Sequence, residues 1–471
     1  MATPRYDVAY VRSTMWHPTH TLQTLKSFVQ EADLPSDVGA GFNDSVTIET
    51  ILHEKKTFDL SLNFEKLGVD DANRAWAIPA PSKPMVLGSL PGRSNILSVT
   101  VFDLLLPSAT VAKQYVAVTT ADRRLHLLNP ASPSLELVQS YTSFQESPIL
   151  DIITISSRYI LIASMSGKLL LYDIANDKVL DERKDHSKYV VKLASWSSSD
   201  SVLVASAGWD SKVFLYQLHN GDDAPRIGEP LATLTLTSIP ETILFVKSPE
   251  DGSPILVVAR RDSTFLYYYS VSNLTTSAFT LLGKQNLAPH SNAWVAFTPA
   301  DVQICPTDPS VVAVATSSTP HMKILILKLL LPPTQPPLPD SVATTEIVEP
   351  AALTQASQAR AELLIADREE AAISVNVSTM APQTTYSTPR LTWRPDGSGL
   401  YVSSDDGVVR GIEANSGKLI AALEGHEPGS KLRCLWAGSL KAHSADTVDA
   451  TKDQEFLISG GFDQRLILWG H

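Results

Sequence analysis

The sequence predicts an all-β chain: a seven-bladed β-propeller closed by a strand from its N-terminal side and preceded by a small α-helical region. Three observations carry this expectation. The segment Phe456-Leu-Ile-Ser-Gly-Gly-Phe-Asp-Gln-Arg-Leu-Ile-Leu-Trp-Gly-His471 reads as two short apolar strands joined by a tight Gly/Asp turn. The same pattern recurs, more loosely, at Val202–Tyr216 and Leu400–Ile412, and strand–turn–strand units spaced by roughly 40–50 residues mark propeller blades. From about residue 84 onward, short β-branched and aromatic runs alternate with turn residues, as strands require.

Residues 1–75 carry helical signals instead. Pro18 suits a first helical turn, where its missing N–H costs nothing. Leu22, Leu25, Phe28, Val29 and Ala32 then fall on one stripe, while Gln23, Lys26, Ser27 and Gln30 face away, and Pro35 stops the helix. A less regular helical stretch runs from about Val46 to Leu67. Helices this short bury too little apolar surface to stand alone. They are expected to pack on a second copy of themselves or on the propeller, and residues 76–83 read as a linker.

The propeller is expected over 84–471, blade by blade. The first uses Asn95–Phe102, Tyr115–Thr120, Arg124–Leu128 and Leu135–Tyr141. The second uses Ile149–Ile155, Tyr159–Ser164, Lys168–Tyr172 and Lys178–Arg183. Val190–Trp196, Val202–Ala207, Lys212–Gln217 and Leu231–Thr237 form the third. Thr242–Ser248, Ile255–Ala259, Thr264–Ser270 and Phe279–Asn286 form the fourth. Trp294–Ile304, Val311–Thr316 and His321–Leu329 begin the fifth, whose outer strand returns near Ile373–Ser378. Arg390–Trp393, Gly399–Ser403, Val408–Glu413 and Lys418–Leu423 give the sixth. The seventh has Leu432–Trp436, Phe456–Ser459 and Arg465–Trp469 but no outer strand. Met85-Val-Leu-Gly-Ser89 fits that vacancy, and such a clasp removes the open edges of the ring.

An insertion, 331–371, interrupts blade five with a Pro-rich run, Leu331–Pro339, and a candidate surface helix over Ala352–Glu370. The Ala437–Gln454 excursion of blade seven falls on the same face of the disc, which is the preferred interaction surface on this reading. The turns between second and third strands lie on the opposite face. They carry Arg123, Arg124, Trp209, Arg260, Arg261, Phe462 and Arg465, residue types that anchor protein interfaces and suit acidic peptide segments.

A formal charge of −12 and a pI near 5.4 oppose direct nucleic-acid binding, which needs a basic surface. Two distant cysteines, Cys305 and Cys434, suit a reducing cytoplasmic or nuclear compartment and are expected to be buried. No signal peptide is recognisable, and the most apolar run, Ile324–Leu331, is too short to span a bilayer. Walker A, Rossmann, HExxH and G-x-S-x-G motifs are missing. The inner strands offer no convergent His or carboxylate set, so no catalytic, metal or cofactor residues are expected.

Two resemblances add to these readings. Thr24-Leu-Lys-Ser-Phe-Val-Gln-Glu31 resembles the T-L-x-x-F-x-x-E core of the LisH motif, a small helical dimerisation element. The resemblance implies homodimerisation through residues 1–75, with Leu22, Leu25, Phe28 and Val29 at the contact. Residues 84–471 resemble the WD-repeat family. Gly425-His426 and Asp185-His186 match its Gly-His or Asp-His step before an inner strand. Asp122, Asp210, Asp406 and Asp463 match its turn aspartate, while the closing Trp-Asp dipeptide is absent from most blades. The resemblance implies that these His and Asp residues hydrogen-bond within a blade. The expected function is a non-enzymatic scaffold that oligomerises through its helices and recruits protein partners through its propeller. The alternative is an adaptor in a ubiquitin-ligase or transcriptional-regulatory complex.

Overall fold

The computed structural model describes residues 75–471 apart from 108, 133, 143–145, 199–200, 220–223, 272–278, 292–295, 334–354 and 441–454, with backbone only for 355–360. The expected helical region, with Leu22, Leu25, Phe28 and Val29, lies outside the described residues. So do Trp294 and most of the Pro-rich run.

The described residues fall in one compact unit, Ala72–His471, and their strands form seven four-stranded antiparallel sheets. Strands are lettered A to D outward from the central axis. Blade 1 is Ile96–Leu104, Lys113–Thr120, Leu125–Asn129 and Glu136–Tyr141; blade 2 is Ile149–Thr154, Tyr159–Ser164, Leu169–Asp173 and Lys178–Arg183. Blade 3 is Val190–Ser197, Ser201–Gly208, Lys212–His219 and Ala232–Thr235; blade 4 is Pro240–Lys247, Pro254–Arg260, Phe265–Ser270 and Thr280–Asn286. Blade 5 is Thr298–Ile304, Val311–Ser317, His321–Lys328 and Ile373–Pro382, the last preceded by a helix, Gln355–Ala371. Blade 6 is Leu391–Trp393, Gly399–Val402, Val408–Glu413 and Leu419–Glu424.

Blade 7 takes strands A to C from Leu432–Ser439, Glu455–Gly461 and Leu466–Gly470, and its strand D from Lys83–Val86. The clasp pairs Lys83 with Gly470 and Val86 with Ile467. It starts two residues before the expected Met85, because Pro84 is tolerated on an outermost strand that needs hydrogen bonds on one side only. Leu87 still donates its amide to the Leu466 carbonyl at 2.8 Å, and beyond it the pairing ends.

Each sheet is covered on both faces by its neighbours, so the middle strands read as nearly continuous apolar runs rather than alternating ones. In strand B of blade 1, Tyr115 and Ala117 pack toward blade 2, while Val116 and Val118 pack toward blade 7. Seven apolar clusters result, one in each seam between consecutive blades. Cys305 and Cys434 are free and buried in two of them. The D strands cover little and leave Val138, Val179, Leu281 and Leu419 exposed.

The segment read as a linker, 76–83, is anchored at both ends: Ser82 and Lys83 meet Gly470, and Trp76 is seated on blade 6. Trp76 lies edge-on to Tyr401, with ring centres 5.7 Å apart, and its backbone N–H donates to Glu413 Oε1 at 3.1 Å. Gly399 and Gly411 make its seat: a Cβ on Gly399 would stand 2.4 Å from the indole ring. The guanidinium of Arg394 lies 4.3 Å from the Trp76 ring centre and pairs with Glu455 of blade 7 at 2.5 Å.

Candidate binding site at the mouth of the central channel

The site begins with a backbone irregularity repeated around the ring. In blades 1–5 and 7 the A–B register shifts by one residue at the start of strand A. A β-bulge of this kind re-aims the side chain of its extra residue. The extra residues are Leu97, Leu150, Val191, Glu241, Ala300 and Arg433, and all six line a cavity of about 370 Å³ at the channel mouth. In blade 6, Arg390 immediately precedes strand A and lines the same cavity. Seven blades thus contribute one side chain each, apolar from blades 1–3 and cationic from blades 6 and 7.

The mouth opens on the face that carries the turns between strands B and C. Trp209 and Arg261 border it, together with Ser317–Thr319 and the approach to blade 6 at Ser387–Pro389. Trp209 stacks on Tyr189 with ring centres 5.3 Å apart, and the Arg261 guanidinium lies 5.6 Å from the Trp209 ring centre. Arg261 Nε donates to Glu241 Oε1 at 2.6 Å. Burial raises the Glu241 carboxyl above its ordinary range, against the pull of Arg261.

The arginines of the ring differ in their compensation. Arg433 Nη1 donates to Thr388 Oγ1, and among the described residues no carboxylate comes within ion-pairing distance of it. Burial, reinforced by neighbouring Arg390, pushes its guanidinium down to about 10. Arg390 reaches Asp301 Oδ1 only at 3.7 Å, and Asp301 Oδ2 already accepts the Leu391 amide at 3.1 Å. Deeper in the channel, Asp151 accepts the Leu193 amide at 2.8 Å and stands 3.8 Å from Lys192 Nζ.

Of the seven residues picked from the sequence, Trp209 and Arg261 reach the cavity and the others do not. Arg124 pairs with Asp122 at 3.1 Å. Arg123, in a left-handed turn at φ 71°, donates to the Glu146 carbonyl at 3.4 Å. Arg260 donates to Tyr267 Oη at 2.6 Å and lies over that ring. Arg465 pairs with Glu427 at 2.9 Å, and Phe462 stays exposed. Arg433 was missed because a strict period-two reading of strand A assigns no special place to a bulge residue, and Arg390 because it stands just before its strand. Aligning the starts of all seven A strands is the signal that finds them.

The histidines before strands A of blades 3 and 7 are buried in hydrogen-bond networks. His186 bonds Asp210 through Nδ1 at 2.9 Å and Ser206 Oγ through Nε2 at 2.8 Å. His426 bonds Asp463 at 2.8 Å and Ser459 Oγ at 2.7 Å, and Trp469 Nε1 donates to the same Ser459 oxygen at 2.8 Å. Each network ties a loop to the neighbouring turn of its own blade. Among the described residues no group of three His, Cys, Asp or Glu side chains is arranged to hold a metal ion, and no helix is long and apolar enough to cross a membrane.

A family model described as "UCP007778, beta-propeller domain" matches residues 96–437. No curated protein matches the chain.

Proposed function

The chain belongs to that β-propeller family, and from this premise we propose that it is a non-enzymatic scaffold that recruits a protein partner at the channel mouth. The observation that supports this is the stack of Tyr189, Trp209 and Arg261 beside a cavity of about 370 Å³. Partly exposed aromatic and arginine side chains beside a pocket are the usual anchors of protein recognition. The cavity holds a few side chains and excludes a folded domain, which favours an extended peptide segment. The proposal also takes the chain as a WD-repeat protein, supported by the His–Asp–Ser networks of blades 3 and 7. It includes self-association through the LisH-like residues 1–75 and residence in the cytoplasm or nucleus.

The test is quantitative cross-linking mass spectrometry on the full chain and on its Trp209→Ala and Tyr189→Ala variants. Partners cross-linked near the channel mouth are expected to drop several-fold in both variants. Unchanged cross-links would move recognition to the insertion face.

A further inference from the structure

We propose that the channel mouth binds an oxyanion joined to an apolar group, with Arg433 and Arg390 holding the charge and Leu97, Leu150 and Val191 receiving the apolar part. The inference deepens the partner-binding reading by naming the chemistry that is bound, and it rests on that reading only for the peptide context.

The ring leaves Arg433 without a carboxylate partner among the described residues. A protein seldom retains a buried cation without an anionic partner, because removal from water is costly. Arg433 is partly buried, has a threonine hydroxyl as its partner, and is crowded by a second guanidinium. The nearby carboxylates are committed elsewhere. Glu241 is held by Arg261 and Asp151 by the Leu193 amide, while Asp301 divides itself between the Leu391 amide and a long 3.7 Å pair with Arg390, so Arg433 is left without a carboxylate among them. Asp262 is exposed on a turn at the rim. An arriving group with two or more anionic oxygens can serve both guanidiniums and relieve their repulsion, since such charge-assisted bonds are the strong ones. The other side of the mouth is aliphatic, so a purely ionic ligand would leave it unfilled. Carboxylate and phosphoryl groups share the required oxyanion chemistry.

Isothermal titration on the purified full chain, at constant ionic strength, separates these possibilities with four probes: acetate, inorganic phosphate, benzoate and phenyl phosphate. Benzoate and phenyl phosphate are expected to bind several-fold tighter than acetate and phosphate, respectively. Arg433→Gln and Arg390→Gln should each weaken binding by at least about tenfold, the loss expected for one charge-assisted hydrogen bond. Arg465→Gln, on a blade 7 turn outside the cavity, should leave it unchanged. Circular dichroism confirms that each variant folds, and either guanidinium variant suffices if the other does not. Tighter binding of phenyl phosphate than of benzoate assigns the site to phosphoryl groups, and the reverse order assigns it to carboxylates. Heats indistinguishable from chloride, or binding by both guanidinium variants as tight as the parent's, would overturn the proposal. So would equal affinity for phosphate and phenyl phosphate together with equal affinity for acetate and benzoate. None of these outcomes depends on partner cross-linking, so failure of the anion site and failure of the scaffold reading remain separable.

Discussion

Replacing Glu455 with Gln should destabilise the propeller by about 3–4 kcal/mol. Arg394 is fully buried, and Glu455 is the carboxylate that neutralises it. Its Nε bonds both Glu455 oxygens at 3.1 Å, its Nη2 bonds Oε2 at 2.5 Å, and its Nη1 bonds Ser398 Oγ at 3.0 Å. Tyr401 adds a hydroxyl to Oε1 at 3.1 Å, and the Trp76 ring shields the guanidinium from solvent. Gln preserves the shape and one acceptor but removes the charge. Breaking a buried ion pair from one side costs roughly 3–5 kcal/mol. A Coulomb estimate at about 4 Å with an effective dielectric near 20 gives about 4 kcal/mol, and the retained amide oxygen places the expectation in the lower half of that range. For a domain of this size the melting temperature should fall by several degrees. Differential scanning calorimetry on Glu455→Gln, Arg394→Met and the double variant Arg394→Met/Glu455→Leu forms the test. The double variant should recover most of the loss, because a hydrophobic replacement of a whole buried pair is close to neutral. A Glu455→Gln melting temperature within a degree of the parent, or a double variant as unstable as the sum of the singles, would refute this account of the seam between blades 6 and 7.

Further expectations follow from the clasp, the polar networks and the buried histidines. Met85→Pro, opposite Leu468 in the clasp, should open the outer edge of blade 7, seen as faster amide exchange confined to Glu455–Gly461 and Leu466–Gly470. Trp469→Phe removes the indole donor to Ser459 and should cost about 1–2 kcal/mol in chemical denaturation, with His426 still bound to the serine. Burial holds His126 and His186 below the ordinary histidine value, against the pull of Asp122 and Asp210 respectively. The unfolded chain therefore binds their protons more readily, so stability should fall as pH drops from 7 to 5, by up to about 1.4 kcal/mol per histidine per pH unit. His126→Gln should flatten that slope, measured as melting temperature against pH. Arg433→Met removes a poorly compensated buried cation and should raise the melting temperature by a few degrees, whatever the channel binds.

Much of the architecture is legible in the sequence because a propeller writes the same sentence in every blade. Runs such as Val202-Leu-Val-Ala and Ile160-Leu-Ile-Ala announce strands covered on both faces, and Gly/Asp turns set their ends. The candidate site is less legible. Turn residues such as Arg124 and Arg465 stand out by type, yet each meets a carboxylate of its own chain. Such pairing depends on loop geometry that local pattern does not encode. Arg390 and Arg433 sit at the starts of strands whose first residues look ordinary, and only the ring brings them together. Trp76 lies in a stretch without periodicity, and its seat consists of two glycines more than 300 positions away.

The clasp also sets an order of events during synthesis. Roughly 380 residues separate Val86 from Leu466, its nearest strand in the finished blade. At translation rates of about 5–20 residues per second, the early strand waits on the order of 20–80 seconds before its partner leaves the ribosome. Throughout that interval blade 1 lacks blade 7, and the apolar faces of Ile96, Val99, Val116 and Val118 stay open to solvent. A stalled or truncated product would be an unclosed arc with that apolar seam exposed, the kind of surface that favours aggregation.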